Sequence, residues 1–107
     1  MITIQDFKKV ELIVAVVRSV ENHPNADKLF ILRVDTGEGG ERQLVAGIKG
    51  HYTPQELLGK RIIIVSNLAP ATLRGAESQG MLLAAQDGEK LAILTTDKDV
   101  KPGARVG

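Results

Sequence analysis

At 107 residues the chain has the length of one domain, able to build its core without staples. It holds no cysteine, which excludes a disulfide framework and a thiolate metal site and gives no reason to expect an oxidising compartment. Fourteen Lys plus Arg against thirteen Asp plus Glu give a formal charge of +1, so any nucleic-acid role has to come from a local basic face.

The first residues, Met1 to Val10, carry an apolar stretch too short for a signal peptide, and no later window approaches a membrane span. A cytoplasmic protein with no membrane partner is expected. "VELIVAVVRSV", 10 to 20, is rich in β-branched residues and apolar on both alternating faces. It reads as a long strand that bends through a barrel or meets a second subunit. "LFILRVDT", 29 to 36, and "RQLVAGI", 42 to 48, flank a glycine-rich turn at 37 to 41 and read as a hairpin. A short helix follows, with Thr53 as N-cap, Pro54 at the first helical position, Glu56 completing a capping box and Gly59 as the stop. "RIIIVSN", 61 to 67, is a fourth strand and "GMLLAA", 80 to 85, a fifth. Asp87-Gly88 then turns the chain into "KLAIL", 90 to 94.

Strand, strand, strand, helix, strand, strand, with a long first strand, is the order of the all-β OB-fold, a five-stranded Greek-key barrel with a short helix between strands 3 and 4. Ligands of that fold lie across strands 2 and 3, between the loop joining strands 1 and 2 and the loop joining strands 4 and 5. Here those loops are "ENHPNADK", 21 to 28, and the stretch "NLAPATLRGAESQGMLLAA", 67 to 85, which begins as a polar loop and ends as an apolar run. Connections of this length without regular structure are uncommon in small domains and are often functional when ordered. Arg33 and Arg42 are expected to form a basic floor, with Lys28 and Arg74 on the rims.

Several blocks, "DFKKVEL", "HPNADKL", "RQLVAGI", "YTPQELLGK" and "NLAPATLRGAESQGMLLAA", together resemble the tRNA-binding domain found at the C-terminus of many methionyl-tRNA synthetases. The same module occurs as small free-standing tRNA-binding proteins and in eukaryotic synthetase-associated cofactors. The resemblance covers essentially the whole chain, 1–107. It implies an OB core over about 8–85, an extension over 86–107 that contributes to a homodimer, and recognition of tRNA by shape rather than sequence. It implies no chemistry and no cofactor: such a domain raises the affinity of an attached or associated synthetase for tRNA. One relative acts as an export-related chaperone and lacks the "HPNADKL" and "SxGM" forms, so their presence here favours tRNA. A chaperone-like or protein-interaction module without an RNA role is the alternative.

Carried over by position, the RNA-binding residues implied are Lys28, Arg42, Asn67, Arg74, Ser78 and Met81. Arg33 matches only the general basic tendency. The residue types suit the task, since folded RNA presents phosphates to cations and 2'-hydroxyls and base edges to amides and hydroxyls. Phe7, Phe30 and Tyr52 are the only aromatic residues, too few for a stacking platform of the single-strand kind. Each position also has an ordinary structural reading: Asn67 and Ser78 bonding nearby backbone, Arg74 solvated, Met81 filling a gap, and "HPNADK" forming a tight turn that aims Lys28 at the groove.

Enzyme signatures are absent. "GAESQG" does not fit a nucleophile elbow, "GEGG" lacks the trailing Lys and helix of a phosphate loop, and His23 and His51 have no implied partner or metal. "KLAIL" is too apolar for an exposed edge strand. Under the resemblance, Leu91, Ile93 and Leu94 join Ile4 and Phe7 at a dimer interface; the other reading folds this tail onto its own barrel.

Overall fold

The computed structural model describes residues 1–107. In chain order the elements are α1 (Ile4–Lys8), β1 (Leu12–Asn22), β2 (Phe30–Asp35), a 3-10 turn at Gly37–Gly39, β3 (Glu41–Ala46), α2 (Pro54–Leu57) and β4 (Arg61–Val65). Six short strands follow: β5 (Ala71–Leu73), β6 (Ala76–Ser78), β7 (Met81–Leu82), β8 (Ala84–Asp87), β9 (Lys90–Ile93) and β10 (Arg105–Val106).

The main sheet is antiparallel, in the order β3-β2-β1-β4-β7. The first strand serves two partners: Leu12 to Val16 pair with β4, and Val16 to Asn22 pair with β2. A register shift between Val17 and Ser19 marks the bulge that bends it from one to the other. Curling brings β3 against the stretch before β7. There the ladder is partly made by side chains: Gln79 N–H donates to Gln43 O at 2.8 Å, Gln79 Oε1 accepts from Gln43 N–H at 2.9 Å, and Ser78 Oγ accepts from Val45 N–H at 3.0 Å. The result is the OB-type barrel, with its helix between β3 and β4 as expected. Thr53 and Glu56 make both halves of the capping box, and the helix drops Leu57 into the core.

Inside the barrel, Ala15, Val17, Phe30, Leu32, Val34, Leu44, Ile62 and Ile64 form one buried cluster. The alternate residues Val14, Val16, Ile63 and Val65 are buried as well, yet lie outside it. This second apolar layer explains why β1 and β4 are apolar at every position. The C-terminal segment is fastened to the same two strands: Thr95 Oγ1 donates to Arg61 O, Arg61 Nε donates to Val100 O at 2.7 Å, and Gly103 N–H and Ala104 O bond both backbone groups of Val14. β10 then pairs with the free edge of β1. The doubly apolar strand thus needs no second subunit to bury it.

Two expected strands are shorter or divided. β4 ends at Val65 rather than 67, because Ser66 N–H turns to Glu11 O. The run 80–85 splits at Leu83: β7 stays on β4, while β8 leaves to pair with β9 in a separate hairpin. On the outer surface Arg18 lies 2.9 Å from Asp35. Its hydrogen bond, together with the Gly37 N–H, holds the Asp35 carboxyl below the usual carboxylate range.

Candidate nucleic-acid interface

The loop between β1 and β2 is a tight turn built around His23. Its ring is 5% exposed. Nδ1 accepts from Asn25 N–H at 3.0 Å, and Nε2 lies 2.9 Å from Leu73 O. A carbonyl can only accept, so Nε2 carries the hydrogen and the tautomer is set by its two partners. One side chain therefore shapes its own loop and grips the connection between β4 and β7.

That connection is more regular than its sequence suggests. β5 and β6 form a hairpin with Leu73 opposite Ala76, closed by Arg74-Gly75. Both turn residues are left-handed, with φ of 54° and 91°, the backbone of a type I′ turn that normally selects Asn, Asp or Gly. Arg74 is the one non-glycine residue of the chain with positive φ. Its conformation costs about 1 kcal/mol relative to glycine, and such outliers concentrate where a side chain is needed for something other than folding.

Lys28 and Arg74 meet here. With Ala26, Asp27 and Leu29 they line a cleft of about 410 Å³ between the two loops. Lys49 stands beside it, its N–H reaching Lys28 O at 3.5 Å. The loop "HPNADK" places Lys28 in one cleft with Arg74 of the long connection.

The basic floor is different from the expected one. Arg33 pairs with Gln43 and with Ser19, whereas Arg42 pairs with Val34. Directly opposed residues share a face and neighbours alternate, so Arg33 and Arg42 point to opposite faces of the sheet. Arg33 is exposed on the outer face, beside Gln43. Arg42 lies half-buried on the Val34 side, where one guanidinium nitrogen donates to Ser66 O and Gln79 O.

Asn67 and Ser78 spend their polar atoms inside the chain. Asn67 Oδ1 accepts from Glu11 N–H at 2.8 Å and Nδ2 donates to Lys9 O at 2.7 Å, fastening the base of the connection to the segment before β1. Ser78 is 5% exposed; its hydroxyl accepts from Val45 N–H and donates to Gly80 O at 2.9 Å. Met81 is 50% exposed, opposite Val65 on β7.

Among the residues expected at a dimer interface, Ile4 and Phe7 are exposed on α1 and line a shallow cleft with Val10, Arg105 and Val106. Leu94 is also exposed. Ile93 corrects the expectation: it is 7% exposed, belongs to the core of its own barrel, and its N–H donates to Tyr52 Oη. Leu91 packs partly against the same core. Strand parity is the reason, since Leu91 and Ile93 face inward together and Leu94 faces out.

Sequence reasoning missed His23 as a bridge, because its partner lies 50 residues away. It also missed Gln43 and Gln79, which complete the barrel seam. No group of His, Asp or Glu side chains is arranged to hold a metal.

Comparison with known proteins gives this geometry its context. Residues 12–105 match the family described as "Putative tRNA binding domain". Methionine–tRNA ligase of Pyrococcus furiosus is 53% identical over 105 residues, which cover 98% of this chain but 14% of the ligase. This chain thus spans about one-seventh of the length of the curated relatives it matches. A MetRS-related protein from Pyrococcus horikoshii superposes with a TM-score of 0.93 at 37% identity, over 100% of this chain and 98% of that one. The CsaA chaperone protein of Picrophilus torridus superposes equally well, with a TM-score of 0.93 at 30% identity over 100% of both chains. The chain belongs to the tRNA-binding domain family, a homologue of the domain that methionine–tRNA ligases carry.

Proposed function

We propose that the chain is a single, non-catalytic domain that binds tRNA by shape, without sequence preference, and assists an aminoacyl-tRNA synthetase, in the first place methionyl-tRNA synthetase, in cis or in trans. The observation that carries this reading is the shared cleft of Lys28 and Arg74, with Arg74 kept in a strained backbone conformation at its rim. Phosphates suit these cations and Arg33, while Lys49 extends the positive edge. Arg42, Asn67 and Ser78 support the surface from within by fixing the connection and the barrel seam. Met81, exposed on β7, is the apolar member of the proposed contact set. A site of so few cations gives modest affinity that falls steeply with salt. The reading implies a cytoplasmic protein.

A homodimer fits the same reading, because two copies double the surface offered to one RNA. Ile4, Phe7 and Leu94 are the exposed apolar side chains that support it. Light scattering is expected to give a dimer for the native chain and a monomer for Phe7→Glu at micromolar concentration. A native monomer at that concentration contradicts the dimer.

The likeness to a CsaA chaperone protein favours one second reading, a module that binds unfolded polypeptide. Leu68 and Leu73 are exposed on the connection after β4, and Met81 is exposed on β7. Reversing charge at Arg33 and Arg74 together separates the two: it abolishes RNA binding under the first reading and leaves an apolar peptide nearly unaffected under the second.

A further inference from the structure

We infer that His23 is a positioning residue of the tRNA site: its imidazole bridges loop 23–29 to the β5–β6 hairpin and thereby sets the separation of Lys28 and Arg74. The inference rests on the proposed binding of tRNA at that cleft.

Neither wall of the cleft is held by much else that reaches across it. β5 and all but the last residue of β6 carry little buried surface, and the hairpin tip is exposed. Its base is tied to β3 through Ser78 and through Gln43 Nε2, which donates to Glu77 O. Toward the tip, the hairpin is bonded to the opposite loop by His23 Nε2–H donating to Leu73 O, one residue before Arg74. On its own side the ring is anchored by Nδ1, which accepts from Asn25 N–H, while the His23 backbone N–H donates to the carbonyl of Leu29, which flanks Lys28. A buried ring with both nitrogens committed is a stiff strut. It spans from the residue next to one cation to the turn that presents the other.

Two conservative changes divide its two roles. His23→Asn retains an acceptor near the Nδ1 position for Asn25 N–H but cannot reach Leu73. His23→Gln retains a distant N–H donor for Leu73 O but loses the Nδ1-like acceptor. With the strut cut, His23→Asn weakens tRNA binding about fivefold and lowers the salt slope of log Kd by about one, the loss of one phosphate contact from replacing a residue that is not itself a phosphate-binding cation. His23→Gln recovers most of both. Combined with Arg74→Ala, His23→Asn adds little further loss, because the cation it positions is already gone.

The measurement is tRNA binding over a salt series for these variants, with thermal unfolding alongside. The Lys28→Ala plus Arg74→Ala variant reports separately on the underlying reading: if it binds as the native chain does, the cleft is not the site. With that variant weakened, His23→Asn binding as tightly as the native chain overturns the inference. So does the opposite order, with His23→Gln weak and His23→Asn intact, which confines the histidine to its own turn.

Discussion

Replacing Lys28 and Arg74 together with alanine is expected to weaken tRNA binding about thirtyfold at physiological salt and to lower the salt slope by about two. Counterion release supplies the estimate: one phosphate contact contributes a slope of about 0.9, hence about fivefold in affinity near 0.15 M salt. The cations line one cleft although they lie in separate loops. Their side chains are exposed, so unfolding should be unchanged. Arg74→Gly sharpens the case. Glycine accepts the left-handed backbone that Arg74 adopts at φ 54°, so this variant should lose affinity as the alanine variant does while losing no stability. A drop in melting temperature that tracks the drop in affinity would contradict the assignment of Arg74 to binding.

Gly80→Ala is expected to destabilise the fold by about 2–4 kcal/mol, read by denaturant unfolding. Gly80 adopts φ +143°, and an added Cβ would stand 2.9 Å from Val65 O and 3.3 Å from Leu44 Cδ2. The carbonyl is backbone at the end of β4 and cannot withdraw without shifting the strand. The seam two residues earlier shows why the position is so tight: Ser78 must tuck its hydroxyl between Val45 N–H and Gly80 O. Ser78→Ala leaves the Val45 N–H buried without its partner, a loss of about 1–3 kcal/mol. The two variants weaken one closure, so their combination should cost less than the sum. A stable Gly80→Ala would show that the seam does not close the barrel.

Elements whose cause is local were legible in the sequence. The box of Thr53 and Glu56, the glycine turn after β2 and the β-branched run of β1 each carry their reason within a few residues, and their order led to the barrel. α1 was overlooked although Thr3 and Asp6 cap it reciprocally, because five residues leave no period to read. The β5–β6 hairpin was hidden for the opposite reason: arginine occupies a turn position where local preference asks for asparagine or glycine. Arg33 and Arg42 were placed on one floor because facing depends on register, and register is a property of the paired strands. Asn67 and Ser78 are polar residues in a functional-looking block, yet their partners, Glu11, Lys9 and Val45, are more than 30 residues away. The apolar outer layer of β1 left a subunit and a barrel equally open, because what buries Val14 and Val16 within one chain lies outside the strand itself.

In the proposed function, two loops of this domain form one shape-reading RNA site. Its most direct test is equilibrium binding of the native chain to unfractionated tRNA over a salt series, with a plain RNA duplex and a single-stranded oligonucleotide as competitors. tRNA is expected to bind more tightly than either competitor, with an affinity that falls steeply and linearly in log salt. Equal weak binding of all three RNAs, unchanged in the Lys28→Ala plus Arg74→Ala variant, would contradict it.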